Sequence, residues 1–168
     1  MKTITRSLQR PLQAHGKRFI VRDFAYFPSE MEAIFDVMRD LPDDVIVSLK
    51  SAPHDFYPTF PQNPRIGKTA GPAQWIEFDT WGQYCGLGVF PCILLDDTRE
   101  RVEYALRNGA NGFTGRTDWE VVTEGWALEC FSLINLYGLQ RLWEDPTYDK
   151  RNIYAEALRL LRDTNVPF

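Results

Sequence analysis

The stretch DVIVSLKSAPHDF, residues 44–56, decides the fold. VIVSL is dense in apolar and β-branched residues, and the run closes on a cation, Lys50. It predicts a strand over 44–50. Side chains alternate along a strand, so Val45, Val47 and Leu49 share one face, and Ile46, Ser48 and Lys50 share the other. A parallel strand buried on both faces stays apolar to its end. This one turns polar and charged at its C-terminal end, on one face. Asp55 follows five residues after Lys50, in a loop carrying Pro53, Pro58, Pro61 and Pro64.

Three further segments repeat the pattern. In KRFIVRDF (17–24), Phe19 and Val21 oppose Ile20 and Arg22. In AQWIEFD (73–79), Ile76 and Phe78 oppose Trp75, Glu77 and Asp79. In the weaker ANGFTGR (110–116), Phe113 opposes Gly112, Thr114 and Arg116. Helical spacing fills the intervals. PSEMEAIFDVMRDL (28–41) places Met31, Ile34, Phe35 and Met38 on one face, with Ser29 as a candidate N-cap. DDTRERVEYALRNG (96–109) is amphipathic and closed by Gly109. A long apolar helix is predicted over 124–145 and a last helix over 151–164. Residues 1–16 are expected to be a poorly defined N-terminal segment.

Strands alternating with helices imply a parallel sheet with right-handed crossovers. Arg22, Lys50, Glu77 and Arg116 occupy equivalent places at the C-terminal ends of successive strands, where a TIM barrel builds its active site. The expected fold is α/β: one domain over 1–168, made of four βα-type units forming half of a TIM (β/α)8 barrel.

Composition narrows the function classes. The 168 residues are 44% hydrophobic with a net charge of -4, and the mean hydropathy is -0.33 with a pI near 5.2. A general nucleic-acid binder would carry a basic surplus. No apolar run reaches the ~20 residues of a membrane helix, and the basic N-terminus lacks the apolar core of a signal peptide. Two histidines, His15 and His54, and three cysteines without a CxxC pair argue against a metal centre. Cys85, Cys92 and Cys130 read as buried free thiols of a reducing, cytoplasmic compartment. No cofactor is expected.

Four stretches carry a family resemblance: FIVRDFAY, LKSAPHDF, WIEFDTWGQYCG and SLINLYGLQRLWEDPTYD. From about Phe19 to Asp149 the chain resembles the second half of the catalytic barrel of family 67 glycoside hydrolases, the α-glucuronidases. The resemblance implies a uronate-binding arginine at Arg22, a lysine at Lys50 and a catalytic-pair aspartate at Asp55. It also implies a uronic-acid-containing saccharide as ligand. Two departures stand out. Where the family has a Gln-Glu-Tyr triplet this chain has Gly82-Gln83-Tyr84, so Gln83 replaces a catalytic glutamate. The family's general acid lies on an earlier strand, upstream of anything that aligns. The chain is therefore expected to need a missing N-terminal barrel half, or a homo-oligomer, to complete a site.

Inverting glycosidases place a general acid on one side of the bond and a carboxylate base on the other. Asp55 and Glu77 are the catalytic candidates. Arg22, Lys50, Gln83, Tyr84, Arg116, Asp118 and Trp119 are the substrate-binding candidates. A guanidinium grips a carboxylate bidentately, and an ammonium acts as a point charge. Each has a structural counterpart. Lys50 and Asp55 would equally form a salt bridge pinning the loop, and Glu77 would equally serve as a hydrogen-bonding partner of Lys50 or Arg116. Trp81, Tyr84, Tyr57 and Trp119 would stack on sugars or fill the core. His54 is a weaker acid–base candidate. The alternative function is a non-catalytic uronate-binding or structural interaction subunit.

Overall fold

A computed structural model describes residues 2–24, 27–53, 55–57, 59–85, 92–118 and 127–163. Its elements, in order, are α1 (Lys2–Ala14), β1 (Phe19–Arg22), α2 (Pro28–Met38), β2 (Val45–Lys50), β3 (Ala73–Asp79), α3 (Leu95–Arg107) and β4 (Gly112–Arg116). A 3-10 turn (Ala127–Glu129), α4 (Leu133–Glu144) and α5 (Lys150–Asp163) follow. The fold is mixed α/β, with a four-strand parallel sheet in the order β1-β2-β3-β4.

The chain divides into two compact units. The first takes Met1–Asp55, Phe60–Glu77 and Ala105–Thr114; the second takes Phe56–Thr59, Phe78–Tyr104 and Gly115–Phe168. In the first unit Phe19 pairs with Val45 and Arg22 with Ser48. Ile46 pairs with Ala73 and Lys50 with Glu77. Asn111 N–H donates to Gln74 O at 3.0 Å where the chain enters β4. The core of this unit comes from Met31, Phe35 and Met38 of α2, Val45, Val47 and Leu49 of β2, and Ile66 and Ile76. Each such side chain contributes about 1.5–3 kcal/mol by leaving water. β2 is buried along its whole length, Ser48 and Lys50 included.

β4 has little side-chain bulk, and what presses on it explains why. A methyl group on Gly112 would lie 2.4 Å from Trp75 Nε1 and 2.5 Å from its Cδ1. The indole occupies the space that a side chain at 112 would need.

In the second unit α4 packs against α5. Leu139 and Leu142 of α4 and Ile153, Ala157 and Leu161 of α5 are fully buried. Gly138 leaves room for Leu95 of α3, whose Cδ2 a methyl there would collide with, and such a methyl would also sit 3.3 Å from Ile153 Cγ2. Asp149 caps α5, its Oδ1 accepting Arg151 N–H at 2.6 Å. The Glu156 carboxylate accepts the hydroxyls of Tyr137 at 2.7 Å and Tyr148 at 2.8 Å.

The structure corrects three expectations. Residues 2–14, expected to be ill-defined, form α1, tied down where Gln9 and Gln13 donate to the Asp44 carboxylate. α2 begins at Pro28, not after a Ser29 cap; Glu30 accepts Phe27 N–H at 3.2 Å instead. The helix expected over 124–145 is interrupted between the 3-10 turn and α4. Ala127 N–H donates to Thr117 O, and the N–H groups of Leu133, Ile134 and Asn135 bond three residues back, in a tight turn that precedes the helix. The part of that helix before Ala127, Trp126 included, lies outside the described residues.

Candidate functional site

Register puts Arg22, Ser48, Lys50 and Glu77 on one face of the first unit's sheet, at strand C-termini. Neighbouring strands lie ~4.8 Å apart, so a long side chain on β1 spans β2 if the residue between is small. Ser48 is small. Arg22 reaches Glu77 in a two-pronged ion pair, with Nη2 at 2.6 Å from Oε1 and Nε on Oε2. The hydrogen bonds that Arg22 donates to Glu77 raise the Arg22 pKa, against a smaller opposing effect of burial.

Lys50 is 2% exposed. Its Nζ lies 3.4 Å from Asp55 Oδ1 and 5.1 Å from the centre of the Phe24 ring. Arg22 stands over the same ring at 5.4 Å. Phe24, nearly half exposed, is thus shared by both cations, an arrangement in which the ring's negative face attracts each. The Lys50 backbone is fixed at both polar atoms: N–H donates to Asp23 Oδ1 at 3.1 Å, and the carbonyl accepts Asn63 Nδ2 at 2.8 Å. Burial pushes the Asp23 carboxyl up to about 6, against the lowering effects of the Lys50 N–H and the neighbouring cations.

The loop after β2 is held by polar anchors as well as by its prolines. Asn63 N–H donates to Ser51 O at 3.1 Å. Arg65 donates to Pro53 O at 2.8 Å and to Glu32 Oε1 at 2.5 Å. Asp55 is therefore carried on a loop braced through Pro53.

The remaining candidates belong to the second unit. The Asp79 carboxylate accepts three backbone N–H groups, from Trp81 at 3.0 Å, Gly82 at 3.1 Å and Gln83 at 2.7 Å. Burial raises its pKa and those three donors oppose the rise. Gly82, at φ 85°, turns the chain sharply. Gln83 is buried, and its Oε1 accepts Arg116 Nη1. Arg116 Nε donates to the backbone oxygen of Asp118 at 3.2 Å. The Tyr84 ring stacks on Tyr57 at 3.9 Å. Trp81 is buried, a packing residue. Trp119 and His54 lie outside the described residues.

Arg22, Lys50, Asp55 and Glu77 thus come together in one unit, and Gln83, Tyr84 and Arg116 are arranged in the other. Sequence reasoning missed Asp23, Phe24, Asn63 and Asp79. An aspartate directly after a charged strand end, as in Arg22-Asp23, was the available signal. Among the described residues no group of three His, Cys, Asp or Glu side chains could hold a metal ion, and no helix is long and apolar enough to cross a membrane. A cleft of about 560 Å³ opens near the N-terminal ends of β2 and β3, lined by Gln13, Lys17, Arg18, Asp43 and Asp44. It lies at the opposite ends of the strands from Lys50 and Glu77. The chain matches no known family model, and no curated protein matches its sequence.

Proposed function

We propose that this chain is a carbohydrate-active protein of α-glucuronidase type that recognises a uronic-acid sugar at the strand ends. What supports the reading is the grouping of Arg22 and Lys50 around the exposed Phe24 ring. An anionic sugar needs a cation pair for its carboxylate and an apolar surface for its ring face. Asp55, on the braced loop, is the carboxylate assigned to activate water. Glu77 holds Arg22 until a ligand carboxylate competes for the guanidinium. The four parallel strands in sequence order are taken as four successive units of a (β/α)8 barrel, completed by a partner half.

A second reading, a non-hydrolytic uronate binder, is favoured by Gln83. Its amide oxygen accepts a hydrogen bond from Arg116, and an amide cannot take a proton from water as a carboxylate does. Titration calorimetry with glucuronate and with glucose tests the shared core of both readings. Binding of glucuronate but not glucose is expected. Equal affinity for the two sugars removes the case for anion recognition.

A further inference from the structure

Cys85 and Cys92 both lie against Gly82. A methyl group built on Gly82 would lie 3.1 Å from Cys92 Cβ, 3.7 Å from its Sγ and 3.6 Å from Cys85 Cβ. The two thiol-bearing carbons therefore flank a space that only glycine leaves empty. A disulfide needs Cβ atoms ~3.5–4.5 Å apart; both Cβ atoms border the same small space and the two thiols already hydrogen-bond each other, so the sulfurs are within reach of one another. Both backbones are anchored. Cys85 N–H donates to Gly82 O at 2.9 Å, and Cys92 O accepts Asn135 Nδ2 at 2.6 Å. Both cysteines are partly exposed and unbridged, unlike the buried thiols expected from sequence. Burial, then a hydrogen bond with Cys85 and its charge, push the Cys92 thiol up to about 12. Cys92 thus holds its proton more tightly than an ordinary thiol.

We propose that Cys85 and Cys92 are a reversible oxidation site, converted to a disulfide by exchange with a small-molecule disulfide of the glutathione class. Cys85 sulfur attacks one sulfur of the reagent, breaks its S–S bond and releases one glutathione thiolate. Cys92 loses its proton to solvent and attacks the Cys85 sulfur, releasing the second. The two protein thiols are oxidised and the reagent is reduced to two thiols. The new bond would tie the turn that Asp79 holds, and on which Gln83 sits, to the segment that Asn135 holds. The oxidation state of the pair thereby sets the freedom of the Gln83–Arg116 contact.

The test is incubation of the full chain in glutathione buffers of graded ratio, read by intact mass, thiol count and peptide mapping. Wild type and Cys130→Ser should lose the mass of two hydrogen atoms, retain no glutathione and give one peptide linking Cys85 to Cys92. Cys92→Ser should accumulate a glutathione adduct on Cys85, and Cys85→Ser should react at least roughly tenfold more slowly. Any of three results overturns the proposal: a stable adduct on wild type without the linked peptide, a disulfide that includes Cys130, or an unchanged thiol count at ratios that oxidise the urea-unfolded chain.

Discussion

Asp23 holds the backbone of Lys50 with one carboxylate oxygen while the other has no hydrogen-bond partner among the described residues. The residue is 1% exposed. A buried carboxylate with half its acceptor capacity unused favours protonation.

Stability should accordingly depend on pH through Asp23. Its pKa is about 6 in the folded chain against an ordinary 3.8, so the folded state holds the proton more tightly than the unfolded one. The stability this contributes is fully present below about pH 4 and is lost as pH rises through about 6, by about 3 kcal/mol at most. Urea unfolding of wild type and Asp23→Asn across this range measures it. The stability difference should move against the wild type as pH rises, and a pH-independent difference would contradict the assignment.

On the proposed reading, Glu77 and the ligand carboxylate compete for Arg22. Glu77→Gln should tighten glucuronate binding, and Arg22→Ala should weaken it beyond detection, since a charge-assisted hydrogen bond is worth about 1.5–3 kcal/mol. The Arg22 side chain is 42% exposed, but Glu77 is buried, so the loss of Arg22 leaves a buried carboxylate without this partner and should cost about 1–3 kcal/mol of folding stability. Calorimetry on the two variants, with unfolding midpoints in parallel, separates these effects. Weaker binding by Glu77→Gln would show that the carboxylate positions the guanidinium rather than occupying it.

Asn135 ties together three backbone groups, accepting Leu94 N–H at 2.7 Å and donating to Thr80 O at 3.2 Å and Cys92 O at 2.6 Å. Asn135→Ala should destabilise the chain by about 2–4 kcal/mol. Asn135→Asp keeps the acceptor but turns a carboxylate toward two carbonyls, so it should be no better at neutral pH. Chemical denaturation reads both, and a cost under about 0.5 kcal/mol, the range of neutral surface changes, would contradict this role.

The chain alone should not hydrolyse α-glucuronides measurably. General acid–base groups each contribute ~10²–10⁴-fold, and Gln83 stands where the resemblance calls for a carboxylate. Gln83→Glu should not restore turnover by itself. The assay is release of glucuronate from an aldobiouronic acid, with Asp55→Asn as control. Turnover that disappears in the control would overturn this expectation and make Asp55 catalytic as the chain stands.

The sheet was legible because period-two alternation over VIVSLK and AQWIEFD has a single reading, and β3 runs over the residues expected, Ala73–Asp79. The charged strand ends were legible for the same reason. Helix α1 was not, because Pro11 lies inside it and Gln9 and Gln13 find their acceptor, Asp44, more than thirty residues away. Local pattern carries no trace of such a tie. The break before α4 was hidden by apolar residues that suit a helix and a tight turn equally. Arg22's partner was missed because Glu77 lies fifty-five residues on and one strand beyond the nearest. Only the strand order, with a serine between, brings the two together.

The indole of Trp75 fills the space beside Gly112, so the two positions should not vary independently in evolution. A lineage that enlarges residue 112 must first, or at once, shrink residue 75, because overpacking typically costs about 1–3 kcal/mol. The weak strand character of GFTGR is then one half of a two-letter message whose other half is a tryptophan thirty-seven residues earlier. Related chains should show it as covariation: a small residue at 112 wherever 75 is aromatic, and a β-branched residue at 112 only where 75 has lost its ring.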